Sequence, residues 1–150
     1  MASNITFLVE DSLNYSKDVR SYLNKNYQLP ILSVHRLGQY YLSISHTKGC
    51  YGFALSTQPI GLDIESFHRE ISKNALKYIY NPLDTVQGMA LWCIKEASYK
   101  LLTLYYQQIS LKDIFVQEQV IYKDKILSYY KIFHKDFFIY YVEEDTKNFI

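Results

Sequence analysis

The chain has 150 residues, 49% hydrophobic and 21% charged, the balance of a globular domain rather than of a disordered or fibrous chain. Its formal charge of +1 excludes the broad basic footprint of a nucleic-acid binder, and no apolar run approaches the roughly 20 residues that span a bilayer. Cys50 and Cys93 lack CxxC or Cys/His spacing, and the first residues lack a basic segment followed by an apolar run; reduced thiols, no signal peptide and a cytoplasmic location are the expectations.

One domain is expected, large enough to bury roughly 70% of its unfolded surface. Ile5, Phe7 and Val9 alternate with polar neighbours as in a short strand. Asp11-Ser12 caps a predicted helix from about Leu13 to Asn26, with Leu13, Val19, Tyr22 and Leu23 inward and Lys17, Arg20 and Lys25 outward. Strands are predicted over Ile31–His35 and Tyr40–Ser45, turning at Gly38. His46 to Gly49 reads as a loop, Tyr51–Ser56 as a strand, Thr57-Gln58-Pro59 as a turn and Ile60–Glu65 as a further strand. Ile71, Ala75 and Ile79 share one helical face, and Asn81-Pro82 stops that helix. Asp84 with Gln87 resembles a capping box opening a long helix to about Tyr105, buried along Val86, Ala90, Cys93, Ile94, Ala97, Leu101 and Leu104. The tail predicts two or three antiparallel strands, turning at Lys123-Asp124 and Lys135-Asp136 and ending near Glu143. Strands before and after a dominant helix make the fold class α+β.

Two segments carry chemistry. In Ile60-Gly61-Leu62-Asp63-Ile64-Glu65, apolar and acidic residues alternate, so a strand sends Asp63 and Glu65 to one face. Adjacent carboxylates repel, and such a pair faces water or shares a cation. Trp92, Glu96 and Lys100 fall four apart, hence on one face of a helix. Each feature alone also fits a bland reading: a wet strand face, a Glu→Lys surface pair, a core tryptophan, a turn serine and histidine at Ser45-His46. Packed together, strand and helix bring three carboxylates and an ammonium to one place, hard oxygen ligands for Mg²⁺ beside a charge that can meet phosphate.

The run Ile44-Ser45-His46-Thr47, then Gln58 to Glu65, then Trp92-x-x-Lys95-Glu96-Ala97-x-x-Lys100 resembles the 4′-phosphopantetheinyl transferases, and most nearly their surfactin-synthetase-activating branch, which serves peptide, polyketide and fatty acid synthesis. The likeness spans roughly Ser12 to the last strand. It implies a single transferase domain with two pseudo-related lobes, about 1–59 and 60–150, antiparallel strands packing on the long helix. The implied reaction moves the phosphopantetheine of coenzyme A to a serine of an apo acyl or peptidyl carrier protein, releasing adenosine 3′,5′-bisphosphate. Asp63, Glu65 and Glu96 match the Mg²⁺ positions, Glu96 the proposed general base, and Lys100 the lysine at the departing phosphate. Ser45 and His46 match the pair contacting the coenzyme's phosphates, and Ser12 falls near a nucleotide-contacting hydroxyl. Lys17, Arg20 and Arg69 are candidates for steering phosphate or an acidic carrier. Lys95 points about 100° from Glu96 and receives no role.

The chain also departs from that branch. Only 62 residues precede Asp63, so about a third of the first lobe's expected length is missing. The family's Gly-Lys-Pro turn reads Gly38-Gln39-Tyr40. Weaker coenzyme binding is expected, by on the order of 1–3 kcal/mol per lost charged hydrogen bond. A monomer is favoured, with dimerisation open if the short lobe exposes apolar surface. One alternative is a non-catalytic module binding coenzyme A or carrier. Another, a metal-dependent nuclease using Asp63 and Glu65, is disfavoured by the near-neutral charge and by Phe67 where a lysine would be needed.

Overall fold

The computed structural model describes residues 6–10, 23, 25, 31–33, 36–134 and 136–145. It is an α+β fold of two five-stranded antiparallel sheets with helices. The first sheet is ordered β1-β5-β4-β3-β2 from β1 (Thr6–Glu10), β2 (Ile31–Ser33), β3 (Arg36–Leu37), β4 (Tyr40–Thr47) and β5 (Cys50–Ser56). The second runs β6-β10-β9-β8-β7, with β6 (Ile60–Ser66), β7 (Phe115–Val116), β8 (Val120–Tyr122), β9 (Lys125–His134) and β10 (Phe137–Glu144). Helix α1 (Lys73–Ile79) and helix α2 (Gly88–Leu102) lie between β6 and β7 in sequence. Of the predicted Leu13–Asn26 helix only Leu23 and Lys25 are described; both are helical, Leu23 buried and Lys25 exposed as expected. Ser12, Lys17 and Arg20 lie outside the described residues.

Several boundaries differ from the sequence reading, each for a local reason. His46-Thr47 is strand rather than loop, because a two-residue turn at Lys48-Gly49 closes the β4–β5 hairpin, with Thr47 opposite Cys50. Gly49 takes φ +87° there, which an L side chain resists. The long helix starts at Gly88 rather than Asp84 and ends at Leu102, followed by turns through Tyr105. The capping box fails because Asp84 is engaged elsewhere. One of its oxygens accepts the Val116 N–H at 2.9 Å; the other accepts the Asn81 N–H at 2.9 Å and pairs with Lys95 Nζ at 2.9 Å. Lys95 is fully buried and also donates to the Ile79 carbonyl at 2.5 Å. This ion pair ties the α1–α2 connection and β7 to the hidden side of α2.

Removing one member of a buried pair strands the other's charge, at a cost of about 3–5 kcal/mol. Asp84→Asn is therefore expected to lower stability by about 3 kcal/mol in chemical denaturation. The double replacement Asp84→Leu/Lys95→Met should lose clearly less than the two single changes added together.

Helix α2 buries Leu91, Cys93, Ile94, Ala97, Leu101 and Leu102 against β6 and β10. The approach is closest at Gly61, where a β-carbon would stand 2.0 Å from the Ala97 carbonyl oxygen. β6 is buried on both faces, since β10 pairs with one of its edges (Asp63 opposite Tyr140), α2 covers it, and β4 lies alongside. No main-chain ladder joins β4 to β6. Serine hydroxyls of β4 make the join instead: Ser43 Oγ accepts the Leu62 N–H at 2.9 Å, and Ser45 Oγ the Ile64 N–H at 3.0 Å. Among the described residues no helix is long and apolar enough to cross a membrane.

Candidate functional site

The carboxylates of β6 do not face water. Asp63 is 6% exposed and Glu65 5% exposed, so the alternation marks two buried acids rather than a wet strand face. Burying a carboxylate costs free energy unless charge or hydrogen bonds offset it. Glu65 is well supplied. Its Oε1 accepts the Trp92 indole N–H at 3.1 Å, and its Oε2 pairs with Arg69 Nη1 at 2.7 Å. Arg69 also lies over the Trp92 ring, 5.6 Å from its centroid. Trp92, which the sequence offered as plain core, thus holds a site acid.

Asp63 is less well supplied. Its Oδ1 accepts the Ser45 hydroxyl at 3.3 Å and lies 3.7 Å from Lys100 Nζ, while its buried Oδ2 has no hydrogen-bond partner. Burial pushes its carboxyl up to about 8, opposed by Lys100 and reinforced by Glu65 and Glu96. Glu96, half-buried on α2, is raised for the same first reason, with Lys100 and Arg69 pulling it down and Glu65 pushing it up. Three acids therefore share one field, with Lys100 and Arg69 as its cations.

Lys100 is one turn beyond Glu96 on α2. Its ammonium donates to the Leu62 carbonyl at 2.8 Å and the Ile44 carbonyl at 3.2 Å, spanning β6 and β4. His46, at the exposed end of β4, is lowered by burial and then by the neighbouring Lys100, which favours a neutral imidazole. Cys93 Sγ donates to the Asp63 carbonyl at 3.3 Å and so fastens the centre of β6 to α2. Beyond Glu96 an open groove of about 430 Å³ is lined by Tyr78, Tyr99, Ile109, Ser110 and Leu111.

The residues singled out by sequence thus meet where β4, β6 and α2 come together: Asp63, Glu65, Glu96, Lys100, Ser45 and His46. Ser12 lies outside the described residues. The sequence reading overlooked Ser43, whose Ser-x-Ser spacing with Ser45 puts both hydroxyls on one strand face.

The donor set suits a small hard dication, being carboxylate oxygen throughout. The Oδ2 of Asp63 is buried without a hydrogen-bond partner, a place where a dication would compete with the proton that burial favours on this carboxyl. Among the described residues no group of three or more His, Cys, Asp and Glu side chains is disposed to hold a metal ion, and Glu65 is turned to Arg69 and Trp92.

A pH dependence follows from Asp63. The folded chain keeps a proton on it up to about 8, whereas the unfolded chain releases that proton near the ordinary carboxylate value of about 4. More protons on the folded side means that stability falls as pH rises between those values. Cation-free protein is expected to lose about 1–3 kcal/mol from this group between pH 5 and pH 8. Denaturant titrations at both pH values measure the slope, and Asp63→Asn should flatten it.

Compared with known proteins, the sequence matches no protein-family model and shows no significant match to any curated protein.

Proposed function

We propose that the chain is a Mg²⁺-dependent 4′-phosphopantetheinyl transferase of the two-lobe form, acting on an apo acyl or peptidyl carrier protein in the cytoplasm. The observation that carries the reading is the pair of buried acids on β6 sharing a field with Glu96 and Lys100 of α2. A surface ornament would not accept the cost of burying Asp63 with one oxygen unpartnered. Two antiparallel sheets meeting at the acids also suit the two-lobe fold that the motifs resemble.

Asp63, Glu65 and Glu96 would hold Mg²⁺, which when bound draws charge from the diphosphate of coenzyme A. Glu96, with its proton affinity raised by burial, takes the proton of the carrier serine hydroxyl. The serine oxygen bonds to the β-phosphorus as the bond from that phosphorus to the bridging oxygen breaks. The pair of electrons leaves on adenosine 3′,5′-bisphosphate, where Lys100 meets the charge. His46, neutral and exposed, donates an N–H to a coenzyme phosphate.

The alternative, a module that binds coenzyme A or carrier without turnover, is favoured by one observation: both Glu65 oxygens are engaged, by Trp92 and Arg69. Incubating a panel of apo-carriers with coenzyme A and Mg²⁺, followed by intact mass, separates the two. Phosphopantetheine addition to a carrier is the expected result. Heat of binding without added mass would establish the binding module, and neither signal would overturn both readings.

A further inference from the structure

The β4–β6 seam carries a consequence for Asp63. Ser43 and Ser45 are both buried, 3% and 4% exposed, on one face of β4. Each accepts one N–H of β6, from Leu62 and Ile64 respectively. They differ in where the hydroxyl hydrogen goes: Ser45 Oγ donates to Asp63 Oδ1 at 3.3 Å. A hydroxyl has one hydrogen and two lone pairs, so Ser45, accepting from Ile64 and donating to Asp63, has little left for a ligand. Burial closes it further. His46, its neighbour, is exposed on the other face.

We infer that Ser45 is a positioning residue rather than a contact to coenzyme A: it holds Oδ1 of Asp63 and so presents Oδ2 to the divalent cation. This rests on the transferase reading of the same site. A strand carboxylate can turn about its side-chain torsions; a hydroxyl on one oxygen, anchored in turn by a backbone N–H, limits that turning. The serine thereby does two things at once, joining the sheets and aiming the acid, whereas Ser43 does only the first.

The matched pair provides the test. Mn²⁺ alone is titrated calorimetrically into wild type, Ser43→Ala, Ser45→Ala and Ser45→Thr, with melting temperatures recorded for each. Both alanine variants should melt lower, because each leaves one buried N–H of β6 without its acceptor. Only Ser45→Ala should weaken Mn²⁺, about tenfold or more, and Ser45→Thr should recover it. In the transfer assay Ser45→Ala should lower kcat with KM for coenzyme A unchanged. Equal Mn²⁺ affinities for the two alanine variants, or a raised KM with Mn²⁺ binding intact, overturns the inference while leaving the transferase reading standing. Wild type that takes up no Mn²⁺ overturns the metal site and the inference together. If Ser45→Ala does not fold, Ser45→Cys, whose thiol is a weak donor, carries the same comparison.

Discussion

Gly61→Ala is expected to lose at least about 3 kcal/mol of stability and, with it, the site. The added methyl would stand 2.0 Å from the Ala97 carbonyl oxygen and 3.2 Å from the Leu101 nitrogen. These are backbone atoms of α2 and cannot rotate away as a side-chain tip would. Relief requires the helix to move off the strand, opening contacts of Cys93, Ile94 and Leu101, all fully buried. Ala97→Gly should give no rescue, since the clash is with the carbonyl and not with the alanine methyl. Thermal unfolding measures both; a Gly61→Ala melting point within about 2 °C of wild type would show that strand and helix are not in such close approach.

Asp63→Asn is expected to abolish transfer, by on the order of 10³-fold in kcat, while leaving the chain at pH 8 no less stable than wild type. The two effects have opposite signs because Asp63 is costly in the cation-free fold. Its Oδ2 is buried without a partner and its carboxyl is pushed up to about 8; an amide of the same shape removes the charge. Glu96→Gln should show a similar loss of turnover, with its fold kept. Steady-state kinetics on a responsive carrier, alongside denaturant titrations, measure the pair. An Asp63→Asn enzyme with near-normal kcat would remove this acid from the chemistry.

Local features of the fold were legible, and long-range ones were not. The turn at Lys123-Asp124 lies where turn chemistry placed it, Lys123 at φ +53°; of the second predicted turn Asp136 is a turn residue, and Lys135 lies outside the described residues. Asn81-Pro82 follows the end of α1 as read, because prolines act on their own neighbours; the cap at its start, Ser72 accepting the Ala75 N–H, was not read. The stripe Cys93, Ile94, Ala97 and Leu101 is buried as its period requires. The start of α2 was misread because Asp84 serves Lys95, eleven positions away, and no spacing rule reports such a partnership. Glu65 and Asp63 were legible as a pair but not as buried. An alternating strand looks the same in sequence whether water or a helix covers its acidic side. Ser43 was missed for a related reason: only the proximity of a second, unladdered sheet gives its hydroxyl a purpose.

Lys95 and Glu96 are consecutive on α2, so their side chains leave the axis about 100° apart. One is locked to Asp84 in the interior; the other looks toward the acids of β6. The interior lock therefore sets the roll of the helix about its own axis, and with it the aim of the glutamate on the adjoining side. On the transferase reading, a defect at Asp84 would be felt as misdirected chemistry in molecules that remain folded, the change reaching the groove through Glu96 and Tyr99 of the same helix.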